Sequence, residues 1–197
     1  MAELRRSIAK ILPPRLYEHT ISVEATAFQL TKLFGAHGDD DAIARAALLH
    51  DITKSLDVKQ QLILSQNLGI ILSDEDIAAP KVIHAMTASE VARRFFLCND
   101  DVCEIIRSHT VGNPQMSAAQ KIVFLADCID PTRDDADCIR IRDGLFCGIA
   151  KCQSAEQRDE LLDALVKQIL DDTIAYLLDN NLPIHSDTVK SRNAFIN

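Results

Sequence analysis

Six side chains stand out as capable of chemistry: His19, His50, Asp51, His84, His109 and Asp127. His50 and Asp51 end the apolar run ARAALLHD, and Asp127 sits inside another, IVFLADCI. A polar group buried there without a partner costs on the order of several kcal/mol. His19 falls in a long helical stretch, His84 follows Pro80 at a helix start, and His109 ends IIRSH. Any one of them alone reads as a capped or hydrogen-bonded core residue. Together they place imidazoles and carboxylates at or near the borders of successive apolar segments. Those ligand types suit iron, zinc or manganese. The six cysteines form no C-x-x-C pair, which argues against a structural zinc site built on thiolates. The six residues therefore point to one or two bound metal ions.

The elements that must position them read as helices. Apolar residues recur at helical spacing over 15–34, at Leu16, Val23, Ala27, Leu30 and Phe34. Pro13-Pro14 stops a short helix before this one, and Gly35 and Gly38 end it. Asp39 to Asp41 can cap a helix carrying Ile43, Ala46, Ala47 and His50. Asp57 opens the next, through Leu62, Ile63 and Leu64 to Gly69, and a further segment follows Pro80 to Phe96. Asn99 caps the helix that ends at His109 and Gly112, and Ser117 caps the one that Pro131 ends. A long amphipathic helix spans 155–180, with Leu162, Leu165, Val166, Ile169, Thr173 and Leu177 as its inner stripe, and Pro183 breaks it. SDTVKSRNAFIN can add a last short helix. No stretch alternates with period two. The expectation is an all-α, single-domain bundle of about eight helices over 1–197, with its core at about 15–180 and a C-terminal tail at 181–197.

Composition narrows the class. Of 197 residues, 47% are hydrophobic and only 5% aromatic, with no Trp, so Leu, Ile and Ala must fill the core. A net charge of -8 argues against nucleic-acid binding, which needs a basic face. It leaves room for a small anionic substrate, because metal ions and a few local cations can invert the field of a pocket. No apolar run reaches the ~20 residues of a membrane span, and no signal peptide is visible. The cysteines then read as idle thiols in a reducing cytoplasm. His37 and His185 read as surface residues, and the long C-terminal helix offers a face for a homodimer.

The order H…HD…H…H…D resembles the HD-domain superfamily of metal-dependent phosphohydrolases. HDITK and SHTVGNPQMSAAQKIVFLADCIDPTR are similar to the finer pattern of its YqeK-type family, and VKSRN looks like that family's terminal element. The resemblance runs over about 15–193. Asp130 stands where glutamate is common. The resemblance implies a two-metal centre, typically iron, with manganese or zinc as alternatives. His19, His50, Asp51 and Asp127 would hold the first ion, Asp51 would bridge, and His84 and His109 would complete the second. It further implies symmetrical cleavage of diadenosine tetraphosphate into two ADP.

Two ions about 3.5–4 Å apart can acidify a shared water, whose hydroxide would attack a central phosphorus in line. Asp51, Lys54 and Arg133 are the expected catalytic residues, the two cations meeting the anionic leaving phosphate. Arg15, Lys54, Thr110, Gly112 and Arg133 are the expected substrate contacts. Gly112 either ends a helix or admits a nucleotide close to the backbone. Arg15 either touches phosphate or begins a helix, and Arg192-Asn193 buttress the fold. Two other readings share the ligand set: a different HD-type nucleotide phosphatase or phosphodiesterase, and a metal- and nucleotide-binding regulatory module without turnover.

Overall fold

The computed structural model describes residues 1–36 and 38–196, so the expectation for His37 lies outside the described residues. Those residues form eleven α-helices and no strand: α1 (Ala2–Ile8), α2 (Pro14–Phe34), α3 (Asp40–Leu49), α4 (Val58–Asn67), α5 (Asp74–Ala78), α6 (Ile83–Phe95), α7 (Asp100–Ser108), α8 (Ala118–Ile129), α9 (Ala136–Ile149), α10 (Ala155–Asp179) and α11 (Ser186–Asn193). The starts follow capping chemistry. Pro14 opens α2 where its missing N–H costs nothing. Asp57 with Gln60 and Ser117 with Gln120 form reciprocal capping boxes at α4 and α8. Asn99 caps α7, and Gly35 ends α2 in the left-handed conformation. Asp39 precedes α3 without a side-chain bond to it.

Helix α3 is the centre of the packing. It touches α1, α2, α6, α7 and α8, and Ala46, Ala47, Leu48 and Leu49 are fully buried. The small alanines let neighbours approach from several sides, while Val23, Ala27 and Leu30 of α2, Ile106 of α7 and Ile122, Val123 and Leu125 of α8 close around them. Helix α10 lies across α2, α8, α9 and α11. Arg5 of α1 forks onto Glu24 of α2 at 2.8 and 2.9 Å.

The sequence expectation differs from the structure in four places. The bundle has eleven helices rather than about eight, because α5 and α9 carry too weak an apolar pattern to be read. Helix α9 buries only Ile141 and Leu145, and two glycines interrupt it. Helix α4 exposes Leu62 and Ile63 and buries Gln61 and Ser65, since Gln61 serves a polar network below it. The inner stripe of α10 ends at Leu170; Thr173 and Leu177 lie past the core. His185 is buried rather than on the surface: it accepts from the Asp187 N–H at 3.2 Å and donates through Nε2 to Asp76 at 3.2 Å, tying α11 to α5. Arg192 donates to Asp171 of α10 at 2.6 Å, the expected buttress.

Gly112 both turns the chain after α7 and admits a close neighbour. Its φ is +73°, and a Cβ there would lie 2.9 Å from both Cβ and Oγ of Ser191 on α11. Gly69 has φ +69° and open space around it. Gly69→Ala carries only the left-handed strain, about 1–2 kcal/mol. Gly112→Ala adds the steric clash, so urea denaturation should show it destabilised by about 1–2 kcal/mol more than Gly69→Ala. Equal midpoints for the two variants would contradict the tight α7–α11 approach.

Candidate metal centre

Helix α3 and four of the helices around it deliver all six polar residues to one place. His19 comes from the second turn of α2, His50 and Asp51 from the end of α3, His84 from the first turn of α6, His109 from the end of α7 and Asp127 from α8. His50 and Asp51 are 0% exposed. The Asp51 carboxylate is the hub. Its Oδ1 lies 3.2 Å from His84 Nε2 and 3.5 Å from His109 Nε2, and its Oδ2 lies 3.3 Å from His50 Nε2 and 3.7 Å from His19 Nε2. Asp127 Oδ1 is 3.0 Å from His19 Nε2 and 3.7 Å from His50 Nε2. Ligand atoms of His19, His50 and Asp51 fall within 4.8 Å of one another, as do those of Asp51, His84 and His109.

The rings are set to present lone pairs inward. His50 Nδ1 donates to the Ala47 carbonyl at 2.8 Å, His84 Nδ1 to Lys81 at 2.6 Å and His109 Nδ1 to Ile106 at 2.6 Å. His19 Nδ1 donates to Asp130 at 2.8 Å. A carbonyl or an ionised carboxylate can only accept, so each of these Nδ1 atoms carries a hydrogen and leaves Nε2 to face the cluster. His84 Nε2 and His109 Nε2 are 3.1 Å apart. Two lone pairs at that distance repel unless a cation or a proton lies beside them. His19 Nε2, His50 Nε2 and Asp51 Oδ1 are buried without a hydrogen-bond partner. Nitrogen and oxygen donors orphaned in this way fit a divalent metal, with partners on the outer ring nitrogens of the kind metal sites use.

Electrostatics follow the same division. Burial opposes charge on His50, but Asp51 and Asp127 outweigh it and pull the imidazole up to about 10. Burial also opposes charge on His19, and its bonds to Asp127 and Asp130 raise it above the usual histidine value. Burial dominates at His109, pushing it down to about 4, with the neighbouring imidazoles adding to the effect. Burial disfavours the Asp51 carboxylate, yet His50, His109 and His84 hold it well below the ordinary carboxylate range. His19 and Asp127's other neighbours hold Asp127 low in the same way, against its burial.

Cations flank the acids. Lys54 Nζ donates to Asp51 Oδ2 at 2.8 Å, and Arg133 donates to the carbonyl and carboxylate of Asp127, both at 2.5 Å. Arg15, Lys54 and Arg133 line one open groove together with Leu16, His19 and Thr132. Thr110 and Gly112 line another pocket, with Arg107, Asn113 and His185, which shares no lining residue with the first. Two supporting roles escaped the sequence reading. Asp130, fully buried, orients His19 and accepts from Thr132; the bond from His19, then that from Thr132, holds it down at about 2 against its burial. Thr53 donates to the His84 carbonyl at 3.0 Å and meets Thr87 at 2.8 Å, and Gln61 bonds both threonines' neighbourhoods at 2.7 and 2.8 Å, which fixes α6 against the segment carrying Asp51.

A family model for the HD domain matches residues 16–132. The chain is 34% identical over 183 residues to the symmetrical bis(5'-nucleosyl)-tetraphosphatase of Halalkalibacterium halodurans, covering 91% of this chain and 88% of that one. It is 30% identical over 180 residues to the protein of the same name from Bacillus subtilis, covering 90% and 87%. Among solved structures it is similar to a protein from Clostridium acetobutylicum described as a predicted HD superfamily hydrolase involved in NAD metabolism, with TM-score 0.85, 26% identity and coverage of 98% and 95%. The fold, the six-residue cluster and these likenesses agree: this chain belongs to the HD-domain family, on the YqeK-type branch of its metal-dependent hydrolases.

Proposed function

We propose that the chain hydrolyses dinucleoside tetraphosphates symmetrically, releasing two ADP from diadenosine tetraphosphate. The observation that carries the catalytic part is the Asp51 carboxylate, buried with one oxygen toward His84 and His109 and the other toward His50 and His19. Its names for relatives carry the substrate: those at 34% and 30% identity are called symmetrical tetraphosphatases. In this reading His19, His50, Asp51 and Asp127 would hold one ion, and Asp51, His84 and His109 would hold the second. Iron is the expected metal, with manganese and zinc able to use the same donors. When bound, such a pair supplies an acidified water and positive charge for the phosphoryl oxygens.

The protein's own residues do the rest. Lys54 and Arg133 each bond a cluster carboxylate while lining the cationic groove, so they sit where a polyphosphate chain would meet the centre. With Nε and Nη2 of Arg133 already on Asp127, Arg133 and Lys54 would serve the phosphate oxygens as positive charges beside the centre. Arg15, exposed at the start of α2, extends the same groove. Thr110 and Gly112 would meet the substrate only through the second pocket, whose wall Gly112 shapes by admitting Ser191.

Incubated with diadenosine tetraphosphate and iron or manganese, the protein should yield ADP alone by chromatography; ATP plus AMP would refute the symmetrical reading. Asp51→Ala should lose activity by on the order of 10³-fold or more and lose bound metal, while keeping its helical circular dichroism. Full activity in that variant would overturn the ligand assignment. Protonation gives a third test. After chelation His50, raised to about 10, keeps its proton at pH 7, whereas His109, lowered to about 4, is already neutral. Loading with metal at pH 7 should therefore release at least one proton, seen as a buffer-dependent heat in calorimetry. The chelated protein should also lose stability on both sides of pH 6.5. His109 favours the folded state above 6.5, and that support fades as pH falls toward about 4; His50 favours it below 6.5, and that support fades as pH rises through about 10.

A further inference from the structure

We infer that Arg142 is a positioning residue for the first-ion half of the centre, acting through the loop that joins α8 to α9. This deepens the proposed function and rests on its ligand assignment. Arg142 lies on α9, beyond the 16–132 segment that matches the HD-domain model. Its guanidinium donates to three main-chain carbonyls: Nε to Ile129 at 2.8 Å, and Nη2 to Asp130 at 2.7 Å and Arg133 at 3.0 Å. These carbonyls bracket a five-residue turn that holds no regular structure after Ile129.

Two side chains leave that turn for the centre. Asp130 bonds His19 Nδ1 at 2.8 Å and so sets the ring whose Nε2 faces Asp51 and Asp127. Arg133 returns to Asp127 with both ends of its fork at 2.5 Å. The turn carries Pro131 in its middle and has few main-chain bonds of its own, the Arg133 N–H to the Asp130 carbonyl at 2.9 Å being one. A planar fork spanning three carbonyls is what fixes its shape, and a lysine ammonium, a single point, cannot span them all. Arg142 thus ties the aim of His19 and the reach of Arg133 to one guanidinium on a helix outside the shared domain. It touches neither ligand atoms nor the groove.

The test uses the full-length protein with Mn²⁺ as the metal probe. Partners that orient a ligating ring are worth about 10–100-fold in metal affinity. Arg142→Met should weaken one of the two Mn²⁺ equilibria by about tenfold or more and leave the other as in the unaltered protein, with Arg142→Lys in between. A purely structural role would lower thermal stability without separating the two equilibria. If Arg142→Met does not fold, Arg142→Lys is measured alone, and unchanged Mn²⁺ binding in the folded variant overturns the proposal. A second readout is the coupling to Arg133. Arg142→Met should reduce kcat/KM for diadenosine tetraphosphate about tenfold in the native background and less than about threefold beside Arg133→Ala. Equal reductions in both backgrounds would remove Arg133 from the account. The metal titration decides the Arg142 assignment even if the unaltered protein forms no ADP, a result that would count against the substrate reading alone.

Discussion

A carboxylate with no exposure to water, set among four imidazoles, is the constraint on which the rest of this molecule depends. Asp51 cannot lie at the centre of a helical core unless positive charge surrounds it, because an unpaired buried carboxylate is costlier than any packing around it can offset. The surrounding helices are arranged to deliver that compensation. Helix α3 is rich in alanine so that α2, α6, α7 and α8 can come close enough for their side chains to reach the end of α3. The apolar core is thus built around a polar requirement, and α3 is both the middle of the packing and the stalk of the His-Asp pair.

Much of the centre was legible in the sequence because each short motif does several things at once. In HDITK, His50 and Asp51 join the cluster, Ile52 enters the core, Thr53 bonds the His84 carbonyl and Lys54 returns to Asp51. In ADCIDPTR, Asp127 faces His19, Asp130 orients it and Arg133 grips Asp127. Polar residues embedded in apolar runs are visible without any knowledge of the fold, since burial alone makes them conspicuous. The helix starts were legible for a similar reason: Asp57, Asn99 and Ser117 bond main-chain groups within the next turn, a wholly local event.

What the sequence hid is long-range. Nothing near His185 announces that Asp76, more than a hundred positions earlier, will accept its ring N–H and help to bury it. Gly112 read equally as a helix stop or a ligand contact, and the second constraint on it, the arrival of Ser191 from α11 beside a residue already at positive φ, has no local signal. Helix α9 was unreadable because it faces the core with two residues and serves mainly as the base for Arg142, whose partners are carbonyls that no side-chain pattern records.

Three of the four histidines share one local device: His50, His84 and His109 each give Nδ1–H to the carbonyl three positions earlier, at Ala47, Lys81 and Ile106. At the end of α7 the Ile106 carbonyl accepts both the His109 ring N–H and the His109 main-chain N–H, so the bond that chooses the tautomer also reinforces the helix terminus. The choice is made within one turn of chain, independent of the other helices. The rotational freedom that the cluster must surrender is therefore restrained one ring at a time, each within its own stretch of chain, and the contacts between helices have only to set the distances.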